Sequence, residues 1–76
     1  MSSLAQTVPM VLKRRRIVLG LTTYAMGERM GCDHVAVLGF EKVSRKRGIS
    51  VGSLDEYCKR GLRCPVADVI REAEAL

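Results

Sequence analysis

The sequence predicts an all-α fold, a compact domain of five short helices. Three observations carry this reading. Apolar residues recur at helical spacing, most clearly in Val66, Val69, Ile70 and Ala73. Helix punctuation divides the chain, with Pro9, Thr22, Asp33, Ser53 and Pro65 at starts and Gly20, Gly31 and Gly61 at ends. No stretch reads as a convincing strand. At 76 residues the chain is near the size where one core barely suffices, and no repeat or second domain is visible.

Taken in order, Met1 to Val8 reads as a loose polar segment. Pro9 suits the first turn of a helix, where its missing N–H is not needed. This first helix runs to about Leu19, with Val11, Leu12, Val18 and Leu19 as its apolar face, and Gly20 closes it. Leu21 then turns inward. Thr22 or Thr23 caps a second helix through its hydroxyl, and Met26 and Met30, four apart, face the core. Gly27 weakens this helix by about 1 kcal/mol relative to alanine. Its small size lets the next helix approach closely. Gly31 suits a left-handed turn.

Asp33 caps a third helix in which Val37 and Phe40 face inward. His34, Val35, Leu38 and Gly39 then lie on or near its outer face. An outward valine and leucine need an explanation: either that face meets a partner, or the helical phase is shifted by one and both belong to the core. Lys42 to Gly52 reads as a basic loop, and Ser53 with Glu56 forms a capping box for a fourth helix. Leu54, Tyr57 and Cys58 supply its apolar side, and Gly61 ends it. Pro65 opens a fifth helix to about Ala75, with the stripe Val66, Val69, Ile70, Ala73 and Leu76.

The net charge of +5 suits a polyanionic partner, above all nucleic acid. Basic residues fall in two clusters, Lys13 to Arg16 and Lys42, Arg45, Lys46 and Arg47. After Cys64 only Arg71 is basic, against Asp68, Glu72 and Glu74. No apolar run approaches the roughly 18 residues a membrane span needs, and the N-terminus does not read as a secretory signal. A cytoplasmic protein is therefore expected, with Cys32, Cys58 and Cys64 as reduced thiols. Their spacing matches no standard zinc pattern. One histidine, no Ser/His/Asp set and no phosphate-binding glycine loop argue against an enzyme. No metal, cofactor or small-molecule ligand is expected.

The stretch Leu21-Thr22-Thr23-Tyr24-Ala25-Met26-Gly27-Glu28-Arg29-Met30-Gly31-Cys32-Asp33 resembles the helix-turn-helix of the Cro and phage-repressor (XRE-type) DNA-binding family, whose usual form is roughly L-T-Q-x-x-L-A-x-x-L-G-V-S. Val37, Phe40 and Glu41 are similar to that family's ending of the recognition helix, and Ser53 to Tyr57 resembles its later S-L-x-x-L helix. The resemblance spans about Val11 to Gly61. Thr23 stands where glutamine is frequent, Gly27 replaces the usual alanine, and the loop after Glu41 is longer than the common form.

This resemblance implies a lambda-repressor-like domain that binds double-stranded DNA. The N-terminal part of a recognition helix reads base edges in the major groove. Here that assigns base reading to His34, Val35 and Ala36, with Leu38 and Gly39 one turn on. A histidine can bond a purine acceptor, and Val35, Ala36 or Leu38 can meet thymine methyl groups. Without a bidentate arginine, much of the affinity must come from phosphates. The expected phosphate contacts are Arg45, Lys46 and Arg47, then Lys42, Thr22 and Thr23. Operators of this kind carry two half-sites, so a homodimer is expected, with Val66, Val69, Ile70, Ala73 and Leu76 as the candidate interface. The fifth helix has three readings: it closes the core, forms the dimer, or does both. The expected function is a small repressor acting on a palindromic operator. The alternative is a protein-binding module, such as a toxin-binding antitoxin or an anti-repressor.

Overall fold

Val11, Met26, Val37, Tyr57 and Val69 come from five different helical segments, and all five are fully buried. One core is therefore shared by these five segments. The computed structural model describes residues 4–42 and 51–76. Its helices are α1 (Leu4–Val18), α2 (Thr23–Met30), α3 (His34–Glu41), α4 (Val51–Glu56) and α5 (Val66–Glu74). A π-helical segment, Tyr57–Leu62, continues α4. No strand occurs among the described residues, so the fold is all-α. None of these helices is long and apolar enough to cross a membrane.

Helix α1 starts at Leu4, not at Pro9, which lies inside it. An internal proline costs about 3 kcal/mol through its lost N–H and its clash with the preceding turn. Burial offsets this. Thr7 and Val8 are 3% and 4% exposed, and Pro9 is among the fully buried side chains. Val8, Val11 and Leu12 share one face at helical spacing, so the apolar stripe begins at Val8, ahead of the proline. At its other end the expected stripe fails. Val18 is 79% exposed and Leu19 52%, because the inward position there is taken by Arg16 instead.

Thr22 is the cap of α2, its Oγ1 accepting from the Ala25 N–H at 3.1 Å. Gly31 adopts φ 73 and ends the helix. Asp33 occupies the cap position of α3, with no side-chain capping bond. Met26, Met30 and Val37 are buried and Phe40 packs against the core, as their spacing predicts.

The second half departs from expectation at two boundaries. Ser53 is inside α4, because neither Val51 nor Gly52 blocks a helical backbone and the ladder extends upstream of the serine. Gly61 does not end its helix. The chain passes through it as a π segment and reverses at Arg63, φ 55, with the Cys64 N–H donating to the Cys58 carbonyl at 3.0 Å. A left-handed non-glycine residue costs about 1–2 kcal/mol. Gly61 answers a packing demand instead, since a Cβ there would overlap Sδ of Met26. The Arg29 Nη1 donor fastens α2 to this segment through the Gly61 carbonyl at 2.8 Å.

Helix α5 packs along α1. Val69 and Ala73 are buried at 0% and 2% exposure, and Val66 and Ile70 are partly buried against the core. Val69 and Ala73 close the core of a single chain and have no surface left for a second one, so these two drop out of the expected interface. Val66 and Ile70 keep part of their surface and Leu76 is 52% exposed.

Candidate nucleic-acid interface

Three residues, Gly31, Cys32 and Asp33, separate α2 from α3. So short a turn forces the two helices into contact, and Gly27 is where they touch. A Cβ there would lie 2.6 Å from the Cys32 carbonyl oxygen and 3.2 Å from the Asp33 carbonyl carbon. The Cys32 N–H closes the turn on the Gly27 carbonyl at 2.9 Å. Glycine is thus required by the approach of the following turn, as the sequence suggested, and the lost helix propensity is its cost.

The outer face of α3 is exposed. Val35 is 63% and Leu38 50% accessible, Gly39 is exposed, and His34 and Ala36 are half-buried. The phase-shifted alternative, with Val35 and Leu38 in the core, is excluded by these values. Val37, on the opposite side of the same eight-residue helix, is fully buried.

Sequence reasoning missed Tyr24. Its ring, on a residue 65% exposed, stacks on the imidazole of His34 with centroids 4.1 Å apart and planes 22° from parallel. The signal was present. Met26 faces inward, and a residue two positions earlier on a helix points roughly the opposite way. Tyr24 and His34 therefore form one aromatic ledge at the N-terminal ends of α2 and α3. Offset stacking holds an imidazole in one orientation and leaves its edge free to bond. Beside this ledge the first turn of α2 has backbone N–H groups with no intrahelical acceptor, at Thr23 and Tyr24, the arrangement that attracts a phosphate.

The far end of α3 is anchored by charge. Glu41 is 8% exposed and receives Arg16 Nε at 2.7 Å and Nη2 at 3.1 Å. Tyr57 donates its hydroxyl to Glu41 Oε2 at 2.5 Å, and Arg16 Nη1 donates to the Leu21 carbonyl at 2.7 Å. One carboxylate thus joins α1, α3 and the π segment, and the same guanidinium holds the entry to α2. The bonds to Glu41 push the Arg16 guanidinium above its usual range. Burial, then the Glu41 carboxylate, pushes the Tyr57 hydroxyl well above the usual phenol range.

The two basic clusters differ in their partners. Of Lys13 to Arg16, three of the four members are paired. Arg16 is buried on Glu41, while Arg14 Nη2 and Arg15 Nη2 reach Glu72 at 2.7 and 3.1 Å. Arg14 in particular holds the Glu72 carboxyl below its usual range. Arg14 and Arg15 share one carboxylate, so with Lys13 the cluster still presents positive charge at the surface, while Arg16 is withdrawn into the core. Lys42 is exposed directly after α3. Thr22 is exposed and Thr23 half-buried at the start of α2. Arg45, Lys46 and Arg47, the strongest phosphate candidates, lie outside the described residues.

All three cysteines are free thiols, and burial pushes Cys58 up to about 12, with Cys64 beside it adding to the shift. Among the described residues no group of three or more histidine, cysteine, aspartate or glutamate side chains is placed to hold a metal ion. In comparisons with known proteins, no family model, curated protein or solved structure matches the chain.

Proposed function

We propose that this chain is a sequence-specific double-stranded-DNA-binding regulator of the small repressor type, using α2 and α3 as a helix-turn-helix and α3 as the reading helix. The observation that carries the proposal is the division of α3 into a buried side at Val37 and Glu41 and an exposed side at Val35, Leu38 and Gly39, with the His34–Tyr24 ledge at its N-terminal end. A helix gripped along one side and bare on the other is what a groove reader requires. His34 is the polar reader, and Val35 and Leu38 are suited to thymine methyl groups. Phosphates supply the sequence-independent affinity through Lys42, the start of α2 at Thr22 and Thr23, and Arg45, Lys46 and Arg47. A homodimer on a two-fold operator, acting in the cytoplasm by excluding polymerase, completes the reading.

One feature favours a second reading. The exposed side of α3 is apolar and carries no arginine, asparagine or glutamine for bidentate base contacts. An apolar helix face also suits a protein partner, as in an antitoxin or anti-repressor. Selection from a pool of random duplex DNA separates the two. A palindromic consensus, with affinity falling about 10³–10⁵-fold between 50 and 200 mM salt for roughly 6–10 phosphate contacts, is the outcome expected of the regulator. Recovery of no consensus, with only weak sequence-independent binding, rejects it in favour of the protein-binding module.

A further inference from the structure

Four large apolar side chains lie uncovered on the outer side of α1 and the turn that follows it. Met10 is 52% exposed, Ile17 56%, Val18 79% and Leu19 52%. Met10, Ile17 and Val18 recur at seven- and eight-residue spacing, which places them on one side of a helix. Two shallow grooves make the surface continuous. One is lined by Met10, Lys13, Arg14, Ile17 and Val18, and the other shares Arg14 and Val18 and adds Leu19 and Leu62. None of these residues belongs to the α2–α3 face.

We propose that this surface is where a second copy of the chain docks. Its size supports that occupant. At these fractions the four residues together expose roughly 400 Å², about half of the roughly 800 Å² each partner gives to a standard interface. Scattered surface leucines and valines need no explanation, whereas a contiguous patch of several hundred Å² often marks a functional surface. Its border also suits a two-fold contact. Lys13, with no ion partner among the described residues, rims one side, while Glu72 of α5, already bonded to Arg14 and Arg15 of its own chain, lines the adjoining groove. In an isologous contact each surface meets itself, so Lys13 of one copy can join the ion pairs around Glu72 of the other. The α5 stripe offers less, because Val69 and Ala73 are spent inside the monomer and Val66 and Ile70 are partly buried. Docking through α1 leaves the exposed side of α3 free on both copies.

The inference rests on the DNA-binding reading only for its use, and its test contains no DNA. Sedimentation equilibrium of the full chain under reducing conditions should give twice the monomer mass of 8.4 kDa. Val18→Glu should weaken self-association at least tenfold with the helical circular dichroism unchanged, since Val18 makes little contact with its own core. Val18→Ser, which removes apolar area without adding charge, should act in the same direction. Leu38→Glu should leave the dimer intact. A wild-type chain that stays at monomer mass into the hundreds of micromolar overturns the proposal. So does a dimer that survives both Val18 variants or dissolves with Leu38→Glu. Failure to select an operator leaves this mass measurement untouched and counts against the DNA-binding reading alone.

Discussion

Arg16 and Glu41 stand 25 positions apart and meet near the centre of the molecule, Nε to Oε2 at 2.7 Å, with side chains 10% and 4% exposed. The pair ties the last turns of α1 and α3 together. Tyr57 completes it from the π segment at 2.5 Å. No buried side-chain nitrogen or oxygen among the described residues lacks a hydrogen-bond partner. A charge pair withdrawn from water holds only under such full satisfaction.

Glu41→Gln should therefore destabilise the fold by about 3–5 kcal/mol, because it leaves the Arg16 charge buried without its counter-ion. Tyr57→Phe should cost about 1.5–3 kcal/mol, the range for a hydrogen bond to a charged group. Urea unfolding followed by circular dichroism measures both. Replacing Arg16 and Glu41 together by methionine should cost less than Glu41→Gln alone. If the double replacement costs more, desolvation is not what makes the pair interdependent.

Two glycines should respond to alanine with opposite signs. At Gly27 the added carbon meets the Cys32 carbonyl oxygen at 2.6 Å, so the turn must move, and a loss of about 1–3 kcal/mol is expected. Gly39 has nothing within 4 Å of the same carbon, so alanine there should stabilise by about 0.5–1 kcal/mol. Thermal unfolding of the two variants gives the comparison. Gly39→Ala should still weaken operator binding if DNA approaches that backbone closely. A variant that is more stable yet poorer at binding would mark Gly39 as part of the contact surface.

Alkaline pH should unfold the protein earlier than its charge alone suggests. Cys58, raised by burial to about 12, and Tyr57, raised beyond the phenol range, both remain protonated in the fold after they ionise in the unfolded chain. Folded values above unfolded ones mean that this stability is whole below about pH 8.5, the unfolded cysteine value, and declines as pH rises towards the folded ones. Each group contributes a slope of about 1.4 kcal/mol per pH unit where only the unfolded form has lost its proton. Chemical unfolding between pH 8 and 11 should show Cys58→Ala flattening the first part of the decline and Tyr57→Phe the later part. An unchanged slope in both variants rejects the assignment.

At the reading face, His34→Ala and Val35→Ala should change which bases are selected, while Arg45, Lys46 and Arg47 replaced together by alanine should weaken binding to all sequences alike and flatten its salt dependence. Tyr24→Ala should act like a milder His34→Ala, since it frees the imidazole from its stack. Selection experiments on each variant read this out. Unchanged preferences in both His34→Ala and Val35→Ala would move the reading face elsewhere.

Much of the fold was legible in the chain because local physics decides it. Thr22, Gly31 and Pro65 mark their helix ends through a hydroxyl, a left-handed turn and a fixed φ. The spacing of Met26, Met30 and Val37 separated inside from outside across α2 and α3. Two of the misread boundaries, at Pro9 and Gly61, share a cause. Pro9 and Gly61 are helix breakers by propensity, and each is overruled where burial or close packing against another helix outweighs it.

By itself the sequence determined an all-helical chain and a small residue at position 27, and narrowed the exposed side of α3 to two phases. Those follow from periodicity and from backbone geometry, which act within a few residues. Tertiary structure decided the rest. It took Arg16 out of the basic cluster and buried it on Glu41, stacked Tyr24 on His34, and closed the core with Val69 and Ala73. Each of these is a partnership between segments far apart or across a turn, and the energy of a buried charge or an apolar stripe depends on what meets it there. No local pattern carries that information.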